Sequence, residues 1–176
     1  MLRSGRKARA AAGRRRDSPV LNCIKIMTTT MNHEHCIESC NRLLRGERSA
    51  VETYDIALKH YDGNPEVVSG LARIRDEHVR AVEVLEENVL SMGGVPDRTS
   101  GAWGTMATTV QSTASMAGES VALSSLQMGE KAGQGGYEDA LKDDEVMPAC
   151  KQLISSKLLP RLLEHIATLE HLQKKA

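Results

Sequence analysis

The sequence predicts an all-α protein, an antiparallel four-helix bundle with a longer crossover link between its second and third helices. Three observations lead there. Apolar residues recur every three or four positions through four long segments, the pattern of a helix that buries one face. The segments are separated by turn signals, DGNP at 62–65 and GGVP at 93–96 among them. Phe is absent, and the only aromatics are Tyr54, Tyr61, Trp103 and Tyr137. A core built from Leu, Val, Ile, Met and Ala suits helices better than strands. The chain of 176 residues fits one domain.

The first helix is expected over about 33–61, with the stripe Cys36, Cys40, Leu43, Glu47, Ala50, Tyr54, Leu58. Glu47 interrupts that stripe, whereas Glu52 falls with Asp55 and Lys59 on a solvated face. The second helix is expected over about 66–92, after Pro65. Its stripe is Val67, Leu71, Ile74, His78, Ala81, Leu85, Val89, interrupted by His78. The link DRTSGAWG leads to a third helix that starts within 105–112 and continues to about 142. Here Leu123, Leu126, Glu130, Tyr137 and Leu141 share a face, Glu119 lies at its N-terminal end, and Gly133, Gly135 and Gly136 weaken the helix. The fourth helix covers about 147–174, with Pro148 in its first turn and a kink expected at Pro160. Ile154, Leu158, Leu162, His165, Leu169 and Leu172 form its stripe, and His165 interrupts it.

Each helix therefore turns one ionisable residue inward: Glu47, His78, Glu130 and His165. At about 1.5 Å of rise per residue, Glu47 and His78 stand nearly level across the first turn. Glu130 and His165 differ by several residues unless part of 143–149 is irregular. An uncompensated buried carboxylate is costly. Two Glu and two His are good ligands for iron, zinc or manganese, and facing helices of a bundle are where such sites are built. Tyr54 and Tyr137 each lie seven residues from an inward Glu and are expected to donate hydrogen bonds into the core.

HEHCIESC (33–40) has the composition of a metal cluster, but no second cysteine pair accompanies Cys36 and Cys40. Buried thiols with histidines at a frayed helix end are expected there. His60 and His171 fall outside the inward stripes. No Ser–His–Asp pattern is present, and GEKAGQGG follows no strand, so it is not a phosphate-binding loop.

Charge is unevenly spread. Residues 1–16 hold seven Lys/Arg and no acid, leaving sixteen basic residues against 23 acidic ones in the remainder. Residues 1–30 are expected to be a basic arm, disordered or the product of a start codon read too early, since Met27 and Met31 both precede the domain at 33–174. No aromatic is interleaved with the arginines and the body is acidic, which disfavours a nucleic-acid partner. No apolar run approaches the roughly 20 residues of a membrane span, and Asn22 and Lys25 break VLNCIKIM as a signal peptide. Four cysteines do not suggest a disulfide framework. A cytoplasmic protein is expected, and a homo-oligomer is compatible with the sequence.

GERSAVETY (46–54) is similar to the first-helix motif of the rubrerythrin family, where a Gly-Glu pair precedes an Ala and then a Tyr. DEHVRA (76–81) resembles that family's second-helix Glu-x-x-His region, GEKAGQGGYEDAL (129–141) its third-helix Gly-Glu segment, and LLEHIATLEHL (162–172) the region ending in a ligand His. Residues 33–174 resemble still more closely a bacterial ferritin-like family of unassigned activity, domain of unknown function 2383. The link GGVPDRTSGAWG, with Trp103, is similar to that family's.

The resemblance implies a ferritin-like fold in which two helices give a Glu each and two give Glu-x-x-His. Carried over residue by residue, Glu47, His78, Glu130 and His165 match, while the two remaining glutamate positions hold Arg75 and Leu162. Two carboxylates neutralise two ferrous ions poorly, so the expectation is one transition metal (iron, zinc or manganese), with turnover of peroxide or oxygen in view. Glu77 and Glu164 lie about 100° around their helices and are not counted as ligands. The alternative is a non-catalytic structural or stress-related bundle whose core is a metal-free polar network. In it Arg75, on nearly the same face as His78, would reach Glu130 or Glu47 with its guanidinium.

Overall fold

The computed structural model describes residues 19–60, 64–101 and 119–175, without the side chains of 19–32, 60 and 119. Residues 1–18 of the basic arm, residues 61–63 where the expected DGNP turn begins, Trp103 and the expected start of the third helix at 105–112 lie outside the described residues. Within them the chain is all helical and packs as a four-helix bundle.

Helix α1 spans Pro19–His60. It starts well upstream of residue 33, where the apolar stripe begins, because Pro19 has the fixed φ of a first helical turn and no Gly or Pro follows before residue 46. Helix α2 spans Pro65–Ser91, and the Asn64 side chain accepts from the Glu66 amide at 2.9 Å to cap it. It ends in a Schellman turn: Gly94 N–H bonds to Val89 C=O and Gly93 N–H to Leu90 C=O. Gly93 takes φ +77° there, a region that favours glycine. The link that follows is held along α1. Asn41 donates to Val95 C=O and accepts from Asp97 N–H, both at 3.0 Å, and Arg45 pairs with Asp97.

Helix α3 is described over Glu119–Lys142. Its glycines do not interrupt it. A Cβ at Gly133 would come within 3.1 Å of the Leu162 side chain, so the missing methyl lets the fourth helix approach. After an irregular stretch at 143–147, that helix runs as α4 (Pro148–Leu153), a π-helical turn (Ile154–Leu158) and α5 (Leu159–Gln173). The expected disturbance at Pro160 takes the form of this π turn, in which Leu159 N–H reaches back to Ile154 C=O. The wider turn accommodates a residue that has no N–H and whose ring would crowd the carbonyl one turn back.

α1 packs mainly on α2 and α3 mainly on α5, while α1 also meets α3 and α2 meets α5. This is the two-hairpin arrangement with a crossover. The core has three apolar clusters in sequence along the bundle. Tyr54, Leu71, Ile74, Leu126 and Leu169 belong to one, Leu44, Leu85, Tyr137, Ile154 and Leu162 to the next, and Cys36, Cys40, Val89, Val146 and Cys150 to the third. Between the first and second lies a polar layer to which every helix contributes one residue. No described helix is long and apolar enough to cross a membrane.

Candidate metal centre

The polar layer is made by Glu47, His78, Glu130 and His165, exposed to 6, 2, 4 and 4 % respectively. All four inward residues read from the sequence are therefore buried. The ligand atoms of three of them, His78, Glu130 and His165, lie within 4.8 Å of one another. The fourth, Glu47, meets His78 on its other ring nitrogen. Glu130 and His165 come level because residues 143–147 are irregular and the π turn shortens the path to His165.

His78 is the hub. Its Nδ1 lies 2.7 Å from Glu47 Oε2 and its Nε2 lies 2.9 Å from Glu130 Oε1. An ionised carboxylate can only accept, so His78 donates from both nitrogens and is an imidazolium. Burial alone would lower its pKa, but the charge of Glu47 and the hydrogen bonds to both carboxylates outweigh it and hold the ring up at about 10. Burial would raise the Glu130 carboxyl, yet the imidazoles of His165 and His78 bring it down to about 2.

Two tyrosines complete the carboxylates' bonding, as their spacing predicts. Tyr54 Oη donates to Glu130 Oε1 at 2.6 Å, and Tyr137 Oη donates to Glu47 Oε1 at 2.5 Å. Burial first, and the neighbouring carboxylates second, push both phenols well above their usual range, so they stay protonated donors.

Two buried atoms are left over. Glu130 Oε2 and His165 Nδ1 have no hydrogen-bond partner among the described residues, and they face each other at 3.4 Å. The other nitrogen of His165, Nε2, lies 2.9 Å from Glu77 Oε2, which turns Nδ1 toward the Glu130 carboxylate. Glu77 was set aside in the sequence because it sits about 100° from His78. That flank faces α5, which puts the carboxylate behind His165. Its adjacency to the α2–α5 contact is the signal that could have found it.

Arg75 is corrected. It does not enter the layer but turns outward, with Nε 2.9 Å from Asp55 and Nη1 3.3 Å from Asp76. The acidic partners beside it in sequence and on α1 hold the guanidinium at the surface without the desolvation that a core position demands. Leu162, at the other glutamate position of the ferritin-like pattern, is 3 % exposed and packs in the core.

The layer is reachable. A cleft of about 490 Å³ between α2 and α5 is lined by Glu77, His78, Leu158 and His165 among others. A smaller cavity of about 100 Å³ on the α1–α3 side touches Glu47, His78, Glu130 and Gly133.

A family model described as Domain of unknown function (DUF2383) matches residues 35–143. The chain belongs to this family. No curated protein and no solved structure matches it. The matched region carries Glu47, Glu77, His78 and Glu130, whereas His165 lies beyond it.

The DUF2383 chain also differs from its sequence reading at HEHCIESC. Cys36 and Cys40 are buried thiols as expected, but Cys150 joins them, with the three sulfurs within 4.8 Å. Nothing in the spacing of α1 points to a residue on α4. His35 is not at a frayed end, since its ring meets Asp143 at 2.7 Å and Glu145 at 3.2 Å. The Asp143 hydrogen bond raises the imidazole pKa. His171 is exposed, as expected.

Proposed function

We propose that the bundle is a ferritin-like metal protein holding one divalent transition-metal ion through Glu130, His78 and His165, with Glu47 bearing on His78 from behind. The observation that carries this reading is the facing pair of Glu130 Oε2 and His165 Nδ1. Two buried polar atoms left without a hydrogen bond call for a positive charge between them, which a metal ion held by both would supply.

In this reading His165 keeps its Nε2 proton on Glu77, which fixes the tautomer and turns Nδ1 inward. His78 gives up its Nε2 proton and keeps the Nδ1 proton on Glu47, so both imidazoles carry a carboxylate on the far nitrogen. Loss of that proton also leaves Glu47 and Glu130 as two negative charges for one divalent ion, with Glu77 a third carboxylate behind His165. Two imidazoles and a carboxylate suit iron(II), manganese(II) or zinc(II), and such an ion supplies Lewis acidity or, as iron, one-electron chemistry. The positions of Arg75 and Leu162 offer no further carboxylates, which supports one ion rather than two.

The test is elemental analysis of protein purified without a histidine tag and loaded separately with iron(II), manganese(II) and zinc(II). One equivalent of at least one ion is expected, lost in Glu130→Gln and His165→Gln. Protein that stays free of all three ions, with an unchanged melting temperature, favours the second reading, a metal-free network that sets helix register. Its support is that both nitrogens of His78 already have partners. The charge balance in that case comes from the imidazolium and not from an arginine.

A further inference from the structure

At the opposite end of the second apolar cluster from the Glu/His layer, Cys36, Cys40 and Cys150 bring their sulfurs within 4.8 Å of one another. The residues are 0, 2 and 1 % exposed and all three are free thiols. Cys36 and Cys40 are one turn apart on α1 and so point to one side, and Cys150 faces them from α4. Three thiolates around one ion at about 2.3 Å stand roughly 3.8 Å apart, so closure asks for a contraction of about 1 Å at most.

What surrounds the sulfurs is the second observation. A core filled only for volume would place an aliphatic side chain beside them, yet Asn88 turns its amide there. Its Oδ1 accepts from Cys40 at 3.3 Å and from Cys150 at 3.5 Å. An amide has a donor end as well, so a half-turn of the same group presents N–H to sulfurs that have lost their protons. The Met92 thioether lies 3.7 Å from Cys150 Sγ, a fourth soft donor. The Schellman turn at Gly93–Gly94 holds the end of α2, where Asn88 and Met92 sit, and Val89, Val146 and Ile37 close the rest with apolar surface.

We propose that Cys36, Cys40 and Cys150 form a second metal site, for a soft, thiophilic d¹⁰ ion such as zinc(II) or copper(I), with Met92 as an additional donor and Asn88 as the group that orients the thiolates. Sulfur donors select this class of ion. Neither an imidazole nor a carboxylate belongs to the cluster, which separates its preference from that of the Glu/His layer. Binding exchanges up to three thiol protons for one ion and ties α4 to α1 at the end of the bundle.

The full chain, reduced and handled without oxygen, is titrated separately with copper(I) and with cobalt(II) as a coloured stand-in for zinc(II). At least one ion is expected to give sulfur-to-metal charge-transfer absorption that saturates at one equivalent per chain. The band disappears in Cys40→Ala and Cys150→Ala and persists in Cys23→Ala. It also persists in His165→Ala, which separates this site from the Glu/His layer. Asn88→Ala weakens binding by about 10–100-fold. Should the cysteine variants fail to fold, X-ray absorption of the loaded wild-type chain counts the sulfur neighbours directly, and three or more are expected. The proposal is overturned by a wild-type chain that gives no such band with either ion, by a band that survives Cys150→Ala, by a loaded ion with no sulfur neighbour, or by a disulfide within the trio in the protein as isolated.

Discussion

Glu77 holds Nε2 of His165 at 2.9 Å and thereby decides that Nδ1, not Nε2, faces Glu130. The carboxylate touches no other member of the polar layer among the bonds described, but it sets the chemistry of the ring that completes it. Replacing Glu77 by Gln keeps the shape and lets the amide donate to Nε2, which moves the ring proton to Nδ1. Affinity for the ion held by the Glu/His layer is expected to fall about 10–100-fold, measured by competition with a chelator of known affinity. The change in unfolding free energy of the metal-free chain is expected to be small by comparison.

The metal-free chain carries a pH signature of its charged hub. The folded pKa of His78, about 10, lies above its ordinary value of 6.5, so the stability this group contributes is complete below pH 6.5 and declines as pH rises toward 10. Glu130 behaves oppositely. Its folded value, about 2, lies below its ordinary 4.5, so its contribution is complete above pH 4.5 and is lost as pH falls toward 2. Denaturant midpoints should therefore be highest between about pH 4.5 and 6.5, and His78→Gln should flatten the alkaline slope. An unchanged alkaline slope in that variant would contradict the charged hub.

Tyr54→Phe and Tyr137→Phe each remove one hydroxyl donor from a buried carboxylate. Each is expected to destabilise the fold by about 1–3 kcal/mol, the range for leaving a buried acceptor short of a partner, read from chemical denaturation. The double variant is expected to depart from additivity, because His78 joins the two carboxylates.

Arg75→Ala tests where that guanidinium lies. Its partners Asp55 and Asp76 are on the surface, so the change should leave the denaturation midpoint nearly where it was. A loss of several kcal/mol is expected only of an arginine that neutralises the core, and would return Arg75 to the layer.

The four inward residues were legible because each interrupts a regular apolar stripe, and a stripe of period 3.6 needs only one helix to be read. Tyr54 and Tyr137 could be assigned their donor roles for the same reason. What escaped depends on pairs of helices. Glu77 lies beside its stripe and matters only through α5. Cys150 meets Cys36 and Cys40 only once the 143–147 link has returned the chain. Arg75 shares the face of His78 closely enough to suggest a core position, and the decision against it came from Asp55 on a different helix. The form of the Pro160 disturbance was likewise not encoded in the proline alone, since a kink and a widened turn both accommodate the missing N–H.

The widened turn at Ile154–Leu158 gives the fourth helix one residue more than a regular helix needs over the same length. Deleting one residue there would restore an ordinary turn and keep His165, Leu169 and Leu172 in phase, because the surplus residue is what the wider turn absorbs. The cost would fall on Pro160, whose ring would then crowd the carbonyl one turn back. The stretch is therefore slack in the count of the fourth helix, and natural variants of the chain that are one residue shorter here should also have lost the proline.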